Sequence, residues 1–199
     1  MNQPNVSRKC RHRGRLRGSC RVRGGTFAIM RETAPAKGRE IACVPESRLP
    51  GVTAGSGGTV EVREVSTEEG VRAVSPVVRQ LRTHLSEERL VAAVGRMRRE
   101  GYRIIAAYDE RGDPVGAAGF RIQELLAYGK ILYVDDLVTA EDARSGGVGK
   151  ALLGWLEEEA RGTGCAGVHL DSGVQRGRAH RFYFREGMAI ANYHFAKAF

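Results

Sequence analysis

Two adjacent carboxylates, a glycine-rich turn and a tyrosine are the residues whose types and spacing could do chemistry in this chain. The turn is Arg144-Ser145-Gly146-Gly147-Val148-Gly149-Lys150, set directly before an amphipathic segment. Such a turn leaves backbone N–H groups without helical partners at the positive end of a helix dipole, so it is built to hold an anion. It is not a Walker A loop, because Arg144 stands at the first glycine position and Ala151 at the magnesium-binding Ser/Thr position. A dinucleotide fingerprint begins at Gly147-Val148-Gly149 but fails at Leu152, which occupies the third glycine position. Before the turn lies an apolar run, Ile131–Val134, followed by Asp135 and Asp136 and then Leu137-Val138-Thr139. Neighbours on a regular strand point to opposite faces, so at most one of the two acids faces a cleft directly.

Arg144, Gly147 and Gly149 complete the pattern Arg/Gln-x-x-Gly-x-Gly/Ala, and Ala179-His180-Arg181-Phe182-Tyr183-Phe184-Arg185-Glu186-Gly187 fits Ala-x-x-Phe/Leu-Tyr-x-x-x-Gly. With an apolar strand before the turn and a helix after it, this resembles the GNAT (Gcn5-related) N-acetyltransferases. The resemblance covers residues 58–199 and implies acetyl-CoA as co-substrate and a primary amine as acceptor. It implies that Arg144, Ser145, Gly146, Gly147, Val148, Gly149 and Lys150 hold the pyrophosphate, mostly through backbone N–H groups. Leu137, Val138 and Thr139 would offer backbone groups to the pantetheine and the thioester oxygen.

Acetyl transfer from a thioester requires a deprotonated amine, a stabilised carbonyl oxygen and a proton for the departing thiolate. The resemblance assigns the first task to Asp136, as general base through water, and the last to Tyr183; Asp135 is read as a salt-bridge or capping residue. Arg176 stands where many members carry an asparagine that contacts CoA. The C-terminal segment further resembles the small-molecule branch that includes aminoalkylphosphonate N-acetyltransferases. That branch usually has His-Asp where this chain has Gly177-Arg178, so only "small primary amine" is carried over, with direct transfer in a ternary complex. Acetylation of protein N-termini or lysines stays open, as does a CoA-binding sensor without catalysis and a homodimer. His180 and His194 read as packed or solvated, and Arg176, Arg178 and Arg181 as a solvated helix face. No metal site is expected.

The elements that must position these residues follow from periodicity. Thr59–Val65 alternates as a strand, and Ser66-x-x-Glu69 is a capping box opening a helix to about Arg82 that Pro76 would kink or split. Ser86 caps a second helix to Glu100, with Leu90, Val91, Val94 and Met97 on one face and Gly101 as its stop. Tyr102–Tyr108 and Val115–Leu125 form a hairpin, and Ile131–Thr139 is the central strand. A helix from Gly147 to Arg161 buries Val148, Leu152, Trp155 and Leu156; Gly167–Ser172 is a strand; Arg178–Glu186 is a helix. Met188–Phe199 reads as a final strand or strand pair. The order β-α-α-β-β-β-α-β-α-β predicts a single α/β (α+β) domain with a mixed central sheet flanked by helices.

Charge divides the chain. Residues 1–57 hold 12 of the 32 Lys and Arg but 3 of the 23 Asp and Glu, so the remaining 20 basic and 20 acidic groups cancel over 58–199. The net charge of +9 therefore belongs to an Arg/Gly-rich tail that cannot bury enough apolar surface to fold and is read as disordered. Nucleic-acid binding is expected only through that tail. The tail also lacks acids before Glu32, as transit peptides do, yet is better explained by a start site placed upstream of Met30 or later, because 27 Arg against 5 Lys marks GC-rich coding sequence. Four cysteines without metal spacing point to a reducing, cytoplasmic setting. No apolar run is long enough to cross a bilayer.

Overall fold

The computed structural model describes residues 59–199, so the reading of residues 1–57 lies outside the described residues. The elements follow the expected order through the last helix: β1 (Glu61–Glu64), α1 (Glu68–Leu81), α2 (Glu87–Arg98), β2 (Arg103–Tyr108), β3 (Pro114–Leu125), β4 (Gly129–Thr139), α3 (Val148–Gly162), β5 (Val168–Leu170) and α4 (Gly177–Arg185). A short 3-10 turn, Glu141–Ala143, links β4 to the glycine-rich turn.

The sheet runs in chain order, β1-β2-β3-β4-β5. Its first four strands pair antiparallel, and β5 pairs parallel to β4. Alternation along the strands makes two cores, one on each face. Ile104, Ala106, Ala117 and Val138 meet Val71, Val74, Val78, Leu90 and Val94 from α1 and α2. On the other face Ile105, Ala118, Phe120, Leu132 and Val134 meet Leu152 and Leu156 of α3. Trp155 is only partly buried and sets its ring edge-on to Phe120, 5.9 Å between centroids. This is the mixed, helix-flanked sheet expected from the sequence.

Three local expectations are corrected. Thr67, not Ser66, caps α1, its side chain accepting from Gly70 N at 3.0 Å. Pro76 does not split α1, which runs unbroken from Glu68 to Leu81. Met188–Phe199, expected as a strand or strand pair, forms no strand. Its alternating pattern suits pairing, but the neighbouring β5 is only three residues long and offers little ladder. Side chains hold the segment instead: His194 Nδ1 lies 2.8 Å from Asp171 Oδ2, and Asn192 donates to the Tyr128 hydroxyl. Ile190, Tyr193, Phe195 and Phe199 are left exposed.

Candidate active site

The N-terminus of α3 differs from those of the other long helices. α1 and α2 each have a side-chain cap and two glutamates in the first turn (Glu68 and Glu69, Glu87 and Glu88), which answer their free amides and dipoles. α3 has no acid in its first turn and no capping side chain, and its N-cap Gly147 adopts a left-handed conformation with φ 83°. The first helical donor is Ala151, bonded to Gly147 O, so the amides of Gly147, Val148, Gly149 and Lys150 point outward without helical partners. Ser145 is also left-handed at φ 70°, and the amide of Gly146 turns back to Ala143 O at 3.4 Å. Only Val148 in this loop is buried; Arg144, Ser145 and Lys150 are exposed, and Arg144 pairs with Glu141 at 3.1 Å.

β4 leads into this turn with one edge bare. Its pairing with β5 ends at Val134↔Leu170, while its pairing with β3 continues to Thr139. Leu137, Val138 and Thr139 therefore present unpaired backbone on the side that β5 has left. α4 closes in from below: a Cβ on Gly149 would lie 3.4 Å from Phe182 Cζ and 3.6 Å from Thr139 Oγ1. Tyr183, half-buried beside Phe182 (5.4 Å between ring centroids), has its phenol pushed above its ordinary pKa by burial, an effect that the nearby Arg176 partly offsets. Arg176, Arg178 and Arg181 are exposed, in keeping with a solvated face.

The two acids do not point to opposite faces. The register steps from Phe120↔Val134 to Gly119↔Asp136, leaving Asp135 as the extra residue of a β-bulge. The bulge turns both carboxylates toward α1 and α2. Asp136 Oδ1 accepts from Arg82 Nε at 2.6 Å and its Oδ2 from the Tyr102 hydroxyl at 3.0 Å. Asp135 Oδ2 accepts from Arg121 Nε at 3.0 Å, and Arg82 also reaches the Asp135 carbonyl at 3.1 Å. Burial pushes Asp135 above the usual aspartate range, with Arg121 pulling against it and the Asp136 charge adding to it. Tyr102 is driven well above its normal value, first by burial and then by the Asp136 charge. Beside them Tyr133 donates to Asp171 at 2.7 Å.

Sequence reasoning missed Arg82, Tyr102, Arg121 and Ser172. Ser172, just past the end of β5, has a buried Oγ with no hydrogen-bond partner, the one such side-chain atom among the described residues. A signal for Tyr102 was present in Gly119, since an isolated glycine in an apolar strand marks a close approach. A Cβ there would lie 1.8 Å from the Tyr102 hydroxyl. Gly119→Ala is accordingly expected to expel Tyr102 from Asp136 and destabilise the chain by about 1–3 kcal/mol, read as a lowered denaturation midpoint. An unchanged midpoint and an intact Tyr102–Asp136 bond would contradict this packing.

The sequence profile of the acetyltransferase (GNAT) family matches residues 73–188. The chain belongs to this family. An uncharacterized N-acetyltransferase of Bacillus subtilis strain 168, YhdJ, is 34% identical over 143 residues, covering 69% of this chain and 98% of the relative. The aminoalkylphosphonate N-acetyltransferase of Salmonella typhimurium is 36% identical over 88 residues, 44% of this chain and 57% of its own. A solved acetyltransferase of Trypanosoma brucei superposes with a TM-score of 0.59 at 26% identity, covering 70% of this chain and 99% of its own. The GNAT chain is thus an N-acetyltransferase whose acetyl donor is acetyl-CoA, and the bare amides, absent acids and open β4 edge fit an acyl-CoA pyrophosphate and pantetheine. Among the described residues no helix is long and apolar enough to cross a membrane.

Proposed function

We propose that this enzyme transfers an acetyl group from acetyl-CoA directly to a small primary amine in a ternary complex. One observation carries the reading: the uncapped, acid-free amides of α3 adjoin the unpaired edge of β4, with two carboxylates on the strand between. The diphosphate sits on the amides of Gly147–Lys150, flanked by Arg144 and Lys150, and the pantetheine lies along Leu137–Thr139. The acceptor ammonium loses a proton at the Asp135–Asp136 pair, and the free amine adds to the thioester carbonyl. Collapse breaks the C–S bond; Tyr183 protonates the thiolate and regains a proton from the new C–N nitrogen. One proton is released per turnover.

The branch similarity supports a small acceptor, because the relatives include an aminoalkylphosphonate N-acetyltransferase. Thiol release with a panel of primary amines, beside titration calorimetry with acetyl-CoA, tests the reading. Turnover only with peptide amines would replace the small acceptor by a protein one, and absence of acetyl-CoA binding would sink the whole scheme. A cytoplasmic setting belongs to the same proposal, as Cys165 is a free thiol, and cell fractionation checks it.

A homodimer is proposed as well, with a second copy covering residues 188–199. Covering Ile190, Tyr193, Phe195 and Phe199 in two copies would remove on the order of 1,000 Å² from water, near the lower size of a specific interface. Light scattering should give twice the chain mass for the full chain and the single mass after truncation at Gly187. A full chain of single mass would refute it.

A further inference from the structure

Family resemblance assigns the base to Asp136, but the geometry separates the two carboxylates differently. Asp136 has both oxygens committed, Oδ1 to the Arg82 guanidinium at 2.6 Å and Oδ2 to the Tyr102 hydroxyl at 3.0 Å. With Oδ1 and Oδ2 both already accepting from side chains, neither oxygen of Asp136 is left free to receive an incoming N–H. The Asp136 side chain is also the less accessible of the two, 14% exposed against 23% for Asp135. Asp135 has one oxygen on Arg121, and its Oδ1 carries no hydrogen bond among the described residues. The bulge makes Asp135 the extra residue of β4 at the point where β5 diverges.

We propose that Asp135, through its unengaged Oδ1, takes the proton from the acceptor ammonium, and that Asp136 is a positioning residue clamped by Arg82 and Tyr102. The proposal rests on the acetyl-transfer reading above. In the step, an N–H bond of the ammonium breaks, its electron pair stays on nitrogen, and an O–H bond forms on Asp135 directly or across one water. The Asp136 charge, fixed by Arg82 at the end of α1 and by Tyr102 just before β2, holds the ammonium near and favours the proton on its neighbour. Burial raises Asp135 above the usual aspartate range, which brings a carboxyl closer to the pKa useful for a base at neutral pH.

The charged and titratable groups facing Asp135 are Arg121 from β3, Arg82 from the end of α1, Tyr102 just before β2, and Tyr133 and Asp136 from β4. None of the others is an unengaged carboxylate. The base works ionised, so kcat/KM must fall as pH drops through the Asp135 pKa, and that limb lies above the ordinary aspartate range.

The test is the pH profile of kcat/KM for wild type, Asp135→Asn, Asp135→Glu and Asp136→Asn, with acetyl-CoA affinity measured on each. Asp135→Asn should lower kcat/KM by about 10²–10⁴-fold and abolish the acid limb, with acetyl-CoA affinity unchanged. Asp135→Glu should restore part of the rate and the limb. Asp136→Asn should slow the reaction yet keep the limb; if it fails to fold, Tyr102→Phe gives the same reading through Oδ2. A limb lost with Asp136 but kept in Asp135→Asn overturns the assignment and leaves acetyl transfer standing. A wild type that binds acetyl-CoA but acetylates no amine overturns both.

Discussion

Gly147→Asp is expected to weaken acetyl-CoA binding about 100-fold or more while leaving the fold in place. The amides of Gly147, Val148, Gly149 and Lys150 have no partner within α3, and no first-turn acid competes for them. A carboxylate at the N-cap would take one or two of these amides for itself, as Asp does in ordinary helix caps. It would also place a negative charge where a diphosphate must bring its own. Charge–dipole interactions at a helix end are worth up to ~2 kcal/mol, and hydrogen bonds to a charged group about 1.5–3 kcal/mol each. Loss of one bond plus that repulsion exceeds the ~2.7 kcal/mol that a 100-fold change represents. The backbone penalty is small by comparison: φ 83° at Gly147 costs a non-glycine residue roughly 1–2 kcal/mol, least for Asp and Asn. Gly147→Asn, equal in shape but uncharged, isolates the charge and should lose far less affinity. Calorimetry reads both. If the Asp variant binds acetyl-CoA as tightly as wild type, the diphosphate does not sit on this turn.

The turn was legible in the sequence because its physics is local. Arg144, Gly147 and Gly149 need only a preceding strand and a following helix to define an uncapped helix start with free amides, and Ile131–Thr139 and Val148–Leu156 declare those by periodicity. The same holds for the Ser86 cap, whose Oγ accepts from Arg89 N three residues on, and for the Glu157–Arg161 pair at 3.0 Å. What escaped depends on partners distant in the chain. The bulge at Asp135 arises from the register of β4 against Gly119 and Phe120, and strict alternation cannot anticipate one skipped residue. Arg82 and Asp136 are 54 residues apart, and Tyr102 and Asp136 are 34 apart. Each residue alone reads as a helix end, a strand start or an acid. The C-terminal segment failed in the opposite sense: Met188–Phe199 carries a strand's alternation, but pairing needs an edge, and β5 supplies three residues of one.

Tyr183→Phe should lower kcat by about 10²–10³-fold and leave acetyl-CoA affinity and thermal stability close to wild type. The ring stays to pack edge-on to Phe182, 5.4 Å between centroids, and α4 keeps its place against Gly149 and Thr139. Only the hydroxyl is lost, and the hydroxyl forms no hydrogen bond among the described residues, so no buried partner is stranded. The proton balance explains why the effect falls on kcat. An acid acting on the departing thiolate touches the transition state and not the bound thioester, so its removal leaves binding alone. Burial raises the phenol above its ordinary value of 10.0 and Arg176 pulls it back, so Tyr183 keeps its proton at neutral pH and its loss of function on the alkaline side lies above that value. Arg176→Gln removes the opposing charge, moves the phenol further up and makes it a weaker acid; a few-fold loss in kcat with the alkaline limb displaced upward is the expected result. Those two variants together separate an acid from a packing residue. A packing role would leave kcat of Tyr183→Phe intact, because the phenylalanine preserves every contact except the proton.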